Sequence, residues 1–396
     1  MKILQLTNYP TGNPMHGGQL RALHIADELR RNGNVVKSVA AYVKGHYQPD
    51  SEDDIAFGPE SPFWDPELHF LADYLTGIWA AEDEAALSKL TETARVFGAE
   101  VIVSEHPWLM AAARKIAGTM GKIKLVYSSH NLEFRLKRGI LRKSSIAEKT
   151  QEKIVREIES IENEAVSCAD LVIACTELDA DYYKNHSSES RVVVAGNGVE
   201  PFSCAPGRVG AWRRFVGTPF SVFVSSAHMP NATGFWDMMA PGLAFLRPEE
   251  RVLIVGGVSD LITQIKGFEE YQMLNKTRME IIGRVEKSEL QAVVSAAHVI
   301  LLPIVEGEGS NLKTAEALES GCSIVATTKA LRGFEQAFNL SHVHIADEPR
   351  AFRKKVREIL DAPLYTGGTP QTVRSQFYWK HLLSNVVKEV QALVKE

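Results

Sequence analysis

Glu308 and Glu316 stand at the two ends of Glu308-Gly-Ser-Asn-Leu-Lys-Thr-Ala-Glu316. The segment follows an apolar run, Val299-Ile-Leu-Leu-Pro303, and leads into a helix-like stretch, Thr314-Ala-Glu-Ala-Leu-Glu-Ser320, that Gly321 would end. Small residues here leave backbone N–H groups open at a helix start, where the partial positive charge of the aligned peptide dipoles favours an anion. One short segment thus offers a phosphate cradle with a carboxylate at each end. That combination suits a sugar nucleotide, with a diphosphate in the middle and hydroxyls on both sides.

Other loops carry groups of similar use. Asn8-Tyr-Pro-Thr-Gly-Asn-Pro-Met-His-Gly-Gly18 runs from a first strand into a helix, and Gly17 and Gly18 would let a phosphate or sugar approach the backbone closely. The spacing is not the Gly-x-Gly-x-x-Gly of a dinucleotide site, and a plain tight turn is the alternative. His130, in Tyr127-Ser-Ser-His-Asn-Leu-Glu133, falls at a strand's carboxyl end. An imidazole there either serves as a structural hydrogen-bond partner or polarises a reacting hydroxyl. Glu105 and His106 are placed similarly and carry less weight. Ser225, Ser226, His228 and Asn231 are the polar candidates of Val224-Ser-Ser-Ala-His-Met-Pro-Asn231. In Ile282-Gly-Arg-Val285 the backbone can meet a base edge and Arg284 can pack beside the ring. Asp179 and Asp181 form an Asp-x-Asp pair, which reads as acids at a helix amino end rather than a metal site.

The elements that must position these groups alternate along the chain. Strands are predicted at residues 2–7, 35–43, 101–104, 124–127, 171–175 and 192–195, then at 221–225, 252–255, 280–282, 299–302 and 323–326. Short apolar, β-branched runs between helical stretches predict parallel sheets covered on both faces. A first helix is predicted over 19–32, with Leu20, Leu23, Ala26 and Leu29 on one face. Pro201-Phe-Ser-Cys-Ala-Pro-Gly207 reads as a linker. The division is therefore residues 1–200 and 205–372, with an amphipathic helix over 373–396 returning to the first domain. Two such doubly wound α/β sheets facing each other would form an interdomain cleft at the carboxyl ends of their strands. Residues 50–75, rich in Pro and aromatics, read as an irregular cap.

Composition narrows the class. With 396 residues, 45% of them hydrophobic and 23% charged, the chain has room for two soluble domains. A net charge of −5 gives no support for nucleic-acid binding. Charge does cluster: residues 134–145 hold Arg135, Lys137, Arg138, Arg142 and Lys143 and no acid. The segment is either a solvated helix face or a peripheral contact with an anionic membrane. Cys168, Cys175, Cys204 and Cys322 lack metal-ligand spacing and read as reduced thiols. The amino terminus turns polar too soon for a signal peptide and no apolar run is long enough to span a bilayer, so the expected location is the cytoplasm.

Taken in order, the motifs resemble a GT-B glycosyltransferase of the retaining family 4 over nearly the whole chain. The matching pieces are His16-Gly-Gly18, Ser129-His-Asn-Leu-Glu133, Ala169-Asp-Leu-Val-Ile173, Gly196-Asn-Gly-Val-Glu200, Met229-Pro-Asn231, Ile282-Gly-Arg-Val285, and Glu308 to Glu316 running on through Ala317-Leu-Glu-Ser-Gly-Cys-Ser-Ile-Val-Ala-Thr327. The resemblance implies a nucleotide-sugar donor held mainly by the second domain, a glycan or lipid-linked acceptor, and no metal or other cofactor. It places Glu316 on the ribose, Glu308 on the transferred sugar, and the backbone of Gly309, Ser310, Asn311 and Leu312 on the diphosphate. Gly17 and Gly18 would close over the sugar–phosphate region, His130 would sit beside the transferred sugar, and Ser226, Arg284 and Val285 would complete the donor site. Relatives carry an Arg and a Lys in the first loop of the second domain, whereas here residues 225–234 hold no basic residue except His228. Lys313, then Arg332, are the candidates to meet the diphosphate charge. A sugar-nucleotide epimerase or phosphorylase of the same architecture, or a transferase-like subunit that scaffolds an active partner, are the alternatives.

Overall fold

Runs of four to six residues that are apolar on both faces become stable only inside a sheet, and nearly all such runs here do. The computed structural model describes residues 1–186 and 191–394. It divides into two units, Met1–Gly196 with Leu382–Glu396, and Asn197–His381.

The first unit contains β1 (Lys2–Thr7), β2 (Val35–Val43), β3 (Ile55–Phe57), β4 (Val101–Glu105), β5 (Lys124–Ser128), β6 (Leu171–Ala174) and β7 (Arg191–Val194), in the spatial order β3-β2-β1-β4-β5-β6-β7. The second contains β8 (Phe220–Val224), β9 (Arg251–Val255), β10 (Met279–Gly283), β11 (Val299–Leu302), β12 (Ser323–Ala326) and β13 (Val343–Ile345), in the order β10-β9-β8-β11-β12-β13. Neighbouring strands pair in parallel, for example Ile3 opposite Val101 and Leu302 opposite Ala326. Each unit is thus a doubly wound α/β sheet. The strand order reverses between β1 and β4 in one and between β8 and β11 in the other, and loops at such a reversal form the natural ligand crevice of this architecture.

The period of two along each strand feeds separate layers. In the second unit Val222, Leu253, Ile300 and Ile324 pack on one face, and Phe223, Val252, Ile254, Leu301 and Val325 on the other. Helices start and stop on local signals. His16 Nδ1 accepts from the Gln19 N–H at 3.4 Å at the start of the helix Gly17–Arg31. Gly321, at φ 70°, ends the helix Leu312–Ser320 in a left-handed turn that a side chain would strain.

The structure departs from the sequence reading in several places. Residues 50–75 are not wholly irregular: Ile55 and Phe57 bury on either side of the outward-facing Ala56 to make the edge strand β3, and Ala72–Glu82 is a helix. Three-residue strands such as β3 and β13 are too short to show a period. Residues 373–396 are not one helix. Tyr378 is extended and pairs with Val199, whose N–H and carbonyl bond to Phe377 O (2.9 Å) and the Trp379 N–H (3.3 Å), so the chain restarts as Trp379–Leu382 and Ser384–Ala392. The units divide at Gly196/Asn197, ahead of residues 201–207. Glu319 and Gln291 of the second unit already hold the Phe202 and Ser203 N–H groups at 3.1 and 3.0 Å.

Candidate active site

In the second unit the loops after β8 and β11 meet around one ammonium. Lys313, in the first turn of the helix Leu312–Ser320, donates to Asn231 Oδ1 at 2.8 Å. Asn231 in turn donates through Nδ2 to Ser226 O and Oγ at 3.2 and 3.3 Å. Lys313 therefore projects its charge onto the loop after β8. No carboxylate among the described residues lies within ion-pair distance of it. Burial pushes its ammonium down to about 8, against the pull of Glu316. Burial likewise pushes the Glu316 carboxyl up to about 7, with Lys313 and then Lys287 opposing. A lysine and a glutamate held this close to neutrality, one turn apart on a half-buried helix start, are poised to respond to an anion and to hydroxyls respectively.

The loop ahead of that helix is clamped. Arg332 donates through Nε to Gly309 O at 2.6 Å and through Nη2 to Gly307 O at 3.3 Å, and its Nη1 pairs with Glu308 Oε2 at 3.1 Å. Gly307 and Gly309 sit at φ 111° and 69°, conformations open to glycine at little cost. Ser310 is fixed from the other side, its Oγ accepting from the Asn197 N–H (3.0 Å) and its carbonyl from Asn197 Nδ2 (2.8 Å). Asn311 caps the helix without a side-chain bond to its first turn, which leaves that end suited to an anion.

In the first unit a second polar cluster lies at the carboxyl ends of β1, β4 and β5. His130 Nε2 donates to Glu105 Oε2 at 2.9 Å, and Glu105 Oε1 accepts from Gln5 Nε2 at 2.7 Å. His106 Nδ1 lies 3.0 Å from Glu133 Oε1, and its ring centre lies 3.9 Å from that of His130, the planes tilted by 35°. Burial raises Glu133, but the His106 hydrogen bond and the Lys137 charge more than reverse this, so its carboxyl is held below the usual range. Lys137 is itself buried against Asp73 and over the Trp108 ring. Tyr9 joins the two histidines, its hydroxyl 2.9 Å from His106 Nε2 and 3.4 Å from His130 Nδ1. Burial, then the neighbouring His106, lowers His16 to about 4.

Two sequence families match the chain: Glycosyltransferase Family 4 over residues 15–201 and Glycosyl transferases group 1 over residues 219–362. No curated protein matches it. Among solved structures, sucrose-phosphate synthase from Thermosynechococcus elongatus is similar with a TM-score of 0.71 at 15% identity, covering 100% of both chains. Anabaena Alr3699/HepE in complex with UDP and glucose gives 0.67 at 17% identity, over 99% of this chain and 100% of that one. The α,α-trehalose-phosphate synthase (UDP-forming) from Burkholderia xenovorans, in complex with glucose-6-phosphate, gives 0.66 at 14% identity with the same coverage. The chain is a group 1 glycosyltransferase of the GT-B fold.

The transferase brings Ser226, Glu308, Gly309, Ser310, Asn311, Leu312, Lys313 and Glu316 together at the reversal of its second sheet. Of the two cations put forward for the diphosphate, Lys313 reaches the loop after β8, and Arg332 is spent on Glu308 and the loop backbone. Val285 packs against the core, so its side chain is structural, and the exposed Arg284 is paired with Asp260 at 2.8 Å. Gly18 lies so close to Tyr9 that a Cβ would come within 2.5 Å of its hydroxyl; its bareness is needed first by a protein neighbour. Both ring nitrogens of His130 face protein groups, which makes it part of a network rather than an isolated side chain. Lys137 does not belong to the basic surface of residues 134–145, because its aliphatic stem and ammonium are buried. Asp179 opens the helix Glu177–His186, its N–H donating to Thr176 Oγ1 at 3.1 Å, and no group of three metal-ligating side chains occurs among the described residues. Tyr9, which no sequence expectation singled out, joins His106 and Glu105 in the same polar cluster as His130. The only signal was their common place just after a strand.

Proposed function

We propose that this glycosyltransferase moves a sugar, with retention at the anomeric carbon, from a nucleoside-diphosphate donor to a hydroxyl of a glycan, lipid-linked or other small acceptor. The observation that carries the reading is Lys313, an ammonium anchored on Asn231 with no carboxylate partner among the described residues, at a helix start that Asn311 does not cap through its side chain, with the titration-ready Glu316 one turn on. Glu316 takes the ribose hydroxyls, the first-turn N–H groups take the diphosphate, and Lys313 stabilises the charge that grows on the leaving phosphate. Glu308, oriented by Arg332 through one carboxylate oxygen, keeps the other for the hydroxyls of the transferred sugar. The acceptor hydroxyl attacks the anomeric carbon from the leaving-group face and its proton passes to the departing phosphate oxygen. That route needs no metal, since Lys313 and the helix dipole meet the charge. The solved relatives crystallised with UDP and with UDP and glucose support this donor class.

The first unit is the acceptor side. Its exposed Arg135, Arg138, Arg142 and Lys143 support a peripheral contact with an anionic membrane on the cytoplasmic face, as glycoconjugate or surface polysaccharide synthesis would require. Incubation with a panel of nucleotide sugars and acceptors, followed by proton NMR of the product anomer, tests the reading. Retention with metal chelated is expected; an inverted product, or turnover that stops with chelator, would overturn the mechanism.

A further inference from the structure

At the reversal of the first sheet, between the ends of β1 and β4, two histidines face a single phenol. Their outer partners set the proton count. Glu133 fixes a proton on His106 Nδ1, so the neutral ring has a lone pair on Nε2. Glu105 fixes a proton on His130 Nε2, so Nδ1 of that ring has the lone pair. Burial holds His130 well below its ordinary value, in keeping with one proton on the ring. Burial raises the Glu105 carboxyl, and the Ser128 hydroxyl and the Gln5 amide, with the charge of Arg21, pull it back toward the carboxylate. Two acceptor nitrogens, 2.9 and 3.4 Å from the Tyr9 hydroxyl, therefore compete for one phenolic proton. The cluster is one donor short.

Two other observations point the same way. His106 adopts φ 70°, a left-handed conformation that only it and Lys122 share among non-glycine residues described. An L-residue held there by bonds from its N–H to Ser128 O (2.9 Å) and from Ser104 Oγ to its carbonyl (3.0 Å) marks a side chain needed at that spot. Asn8, beside Tyr9 at the end of β1, is only 6% exposed, and neither its Oδ1 nor its Nδ2 has a partner among the described residues.

We propose that this cluster binds the hydroxyl of an incoming sugar acceptor, with His106 Nε2 as the atom that accepts its hydrogen bond. Of the two imidazoles, His106 is the more exposed, at 12% against 6% for the side chain. On binding, the Tyr9 proton turns from His106 to His130 Nδ1, and the sugar hydroxyl supplies the missing donor. No covalent bond changes in this step; the cluster orients the hydroxyl. The assignment of the ligand as an acceptor rests on the transferase reading above.

The test is nitrogen-15 NMR of the whole chain labelled at histidine, at pH 8, first alone and then with free hexoses and hexose 6-phosphates as probes. The unliganded protein should show His106 as the Nδ1–H and His130 as the Nε2–H tautomer. A binding hexose should move the His106 Nε2 resonance in the direction of a stronger hydrogen bond, and Tyr9→Phe should move it the opposite way before ligand is added. Kinetically, Tyr9→Phe and His106→Asn, the latter able to keep the left-handed backbone, should raise the acceptor KM at least about tenfold with the donor KM changed less than about twofold. His130 protonated on Nδ1, His106 protonated on both nitrogens, or no response of His106 to any probe would overturn the proposal. If the resonances respond as expected while no nucleotide sugar is turned over, the transferase reading fails and the hydroxyl site stands.

Discussion

Lys313 and Glu316 titrate on either side of the range in which the enzyme would work, and this gives binding a definite pH signature. Lys313, lowered to about 8, loses its charge and its attraction for a diphosphate as pH rises past that value. Glu316, raised to about 7, loses the carboxylate that accepts a ribose diol as pH falls past that value. Calorimetric affinity for a nucleoside diphosphate should therefore peak between pH 7 and 8 and fall by up to about tenfold per pH unit on each side. Lys313→Arg should extend the alkaline side, since guanidinium keeps its charge, and Glu316→Gln should flatten the acid side. The sign for stability follows from the same group. A carboxyl whose native value is raised contributes stability that is complete below its unfolded value and is lost as pH rises through the native one. Glu316 should thus contribute a decline of the melting temperature without ligand between about pH 5 and 7, and Glu316→Gln should lessen the decline, the buried Glu162, raised to about 8, keeping its own share. Lys313→Ala should weaken nucleotide binding by about tenfold or more, the worth of one charge-assisted hydrogen bond. The spacing singled out the two carboxylates, whereas Lys313 stood out only through the family resemblance, as the substitute for a basic pair that the loop after β8 lacks. Tyr9 was not, because a lone aromatic after a strand has no period, and only the fold puts it between two histidines.

Among the elements, the turn after β9 presses on the loop after β8. Gly256 sits at φ 93°, and a Cβ there would come within 2.4 Å of Ser225 O. Gly256→Ala should cost about 2–4 kcal/mol in urea unfolding, combining left-handed strain with overpacking, and should displace Ser225 and Ser226 enough to weaken nucleotide binding. Arg332→Ala should free the Gly307–Gly309 carbonyls and leave Glu308 unpaired, lowering stability by about 1–2 kcal/mol with a larger fall in turnover than in nucleotide affinity. Strands of four or more residues announced themselves because both faces are apolar and the ends are punctuated. The failures were short or contextual. β3 rests on Ile55 and Phe57 alone, and the break at Tyr378 depends on pairing with Val199, far away in sequence. The burial of Lys137 was equally hidden, since Asp73 is brought to it by the helix Ala72–Glu82, whose first four residues fall within the stretch 50–75 expected to be an irregular cap.

At the scale of the molecule, the second unit is continuous in sequence and carries Glu316, Lys313 and the helix start proposed to hold the nucleoside diphosphate, whereas the first is completed by a segment from the chain's end. A fragment of residues 197–381 should fold and bind a nucleoside diphosphate within about tenfold of the full chain, and ligand at one hundred times its Kd should stabilise it by about 2.7 kcal/mol. Aggregation of that fragment, or folding without binding, would show that the donor site needs more than this unit. The alternation of strands and helices made two doubly wound sheets legible in the sequence, and the ordered motifs carried the family resemblance. The acceptor was not legible, because fold does not name a substrate and the side chains that choose it are scattered over loops. The central claim is that Lys313 drives transfer from a nucleotide sugar. Acceptor-dependent release of nucleoside diphosphate, measured over a panel of donors for the parent and Lys313→Ala, tests it most directly. Release with at least one donor that falls at least about tenfold in the folded variant is the expected result. Equal rates in the two proteins, or no release with any donor, would contradict it.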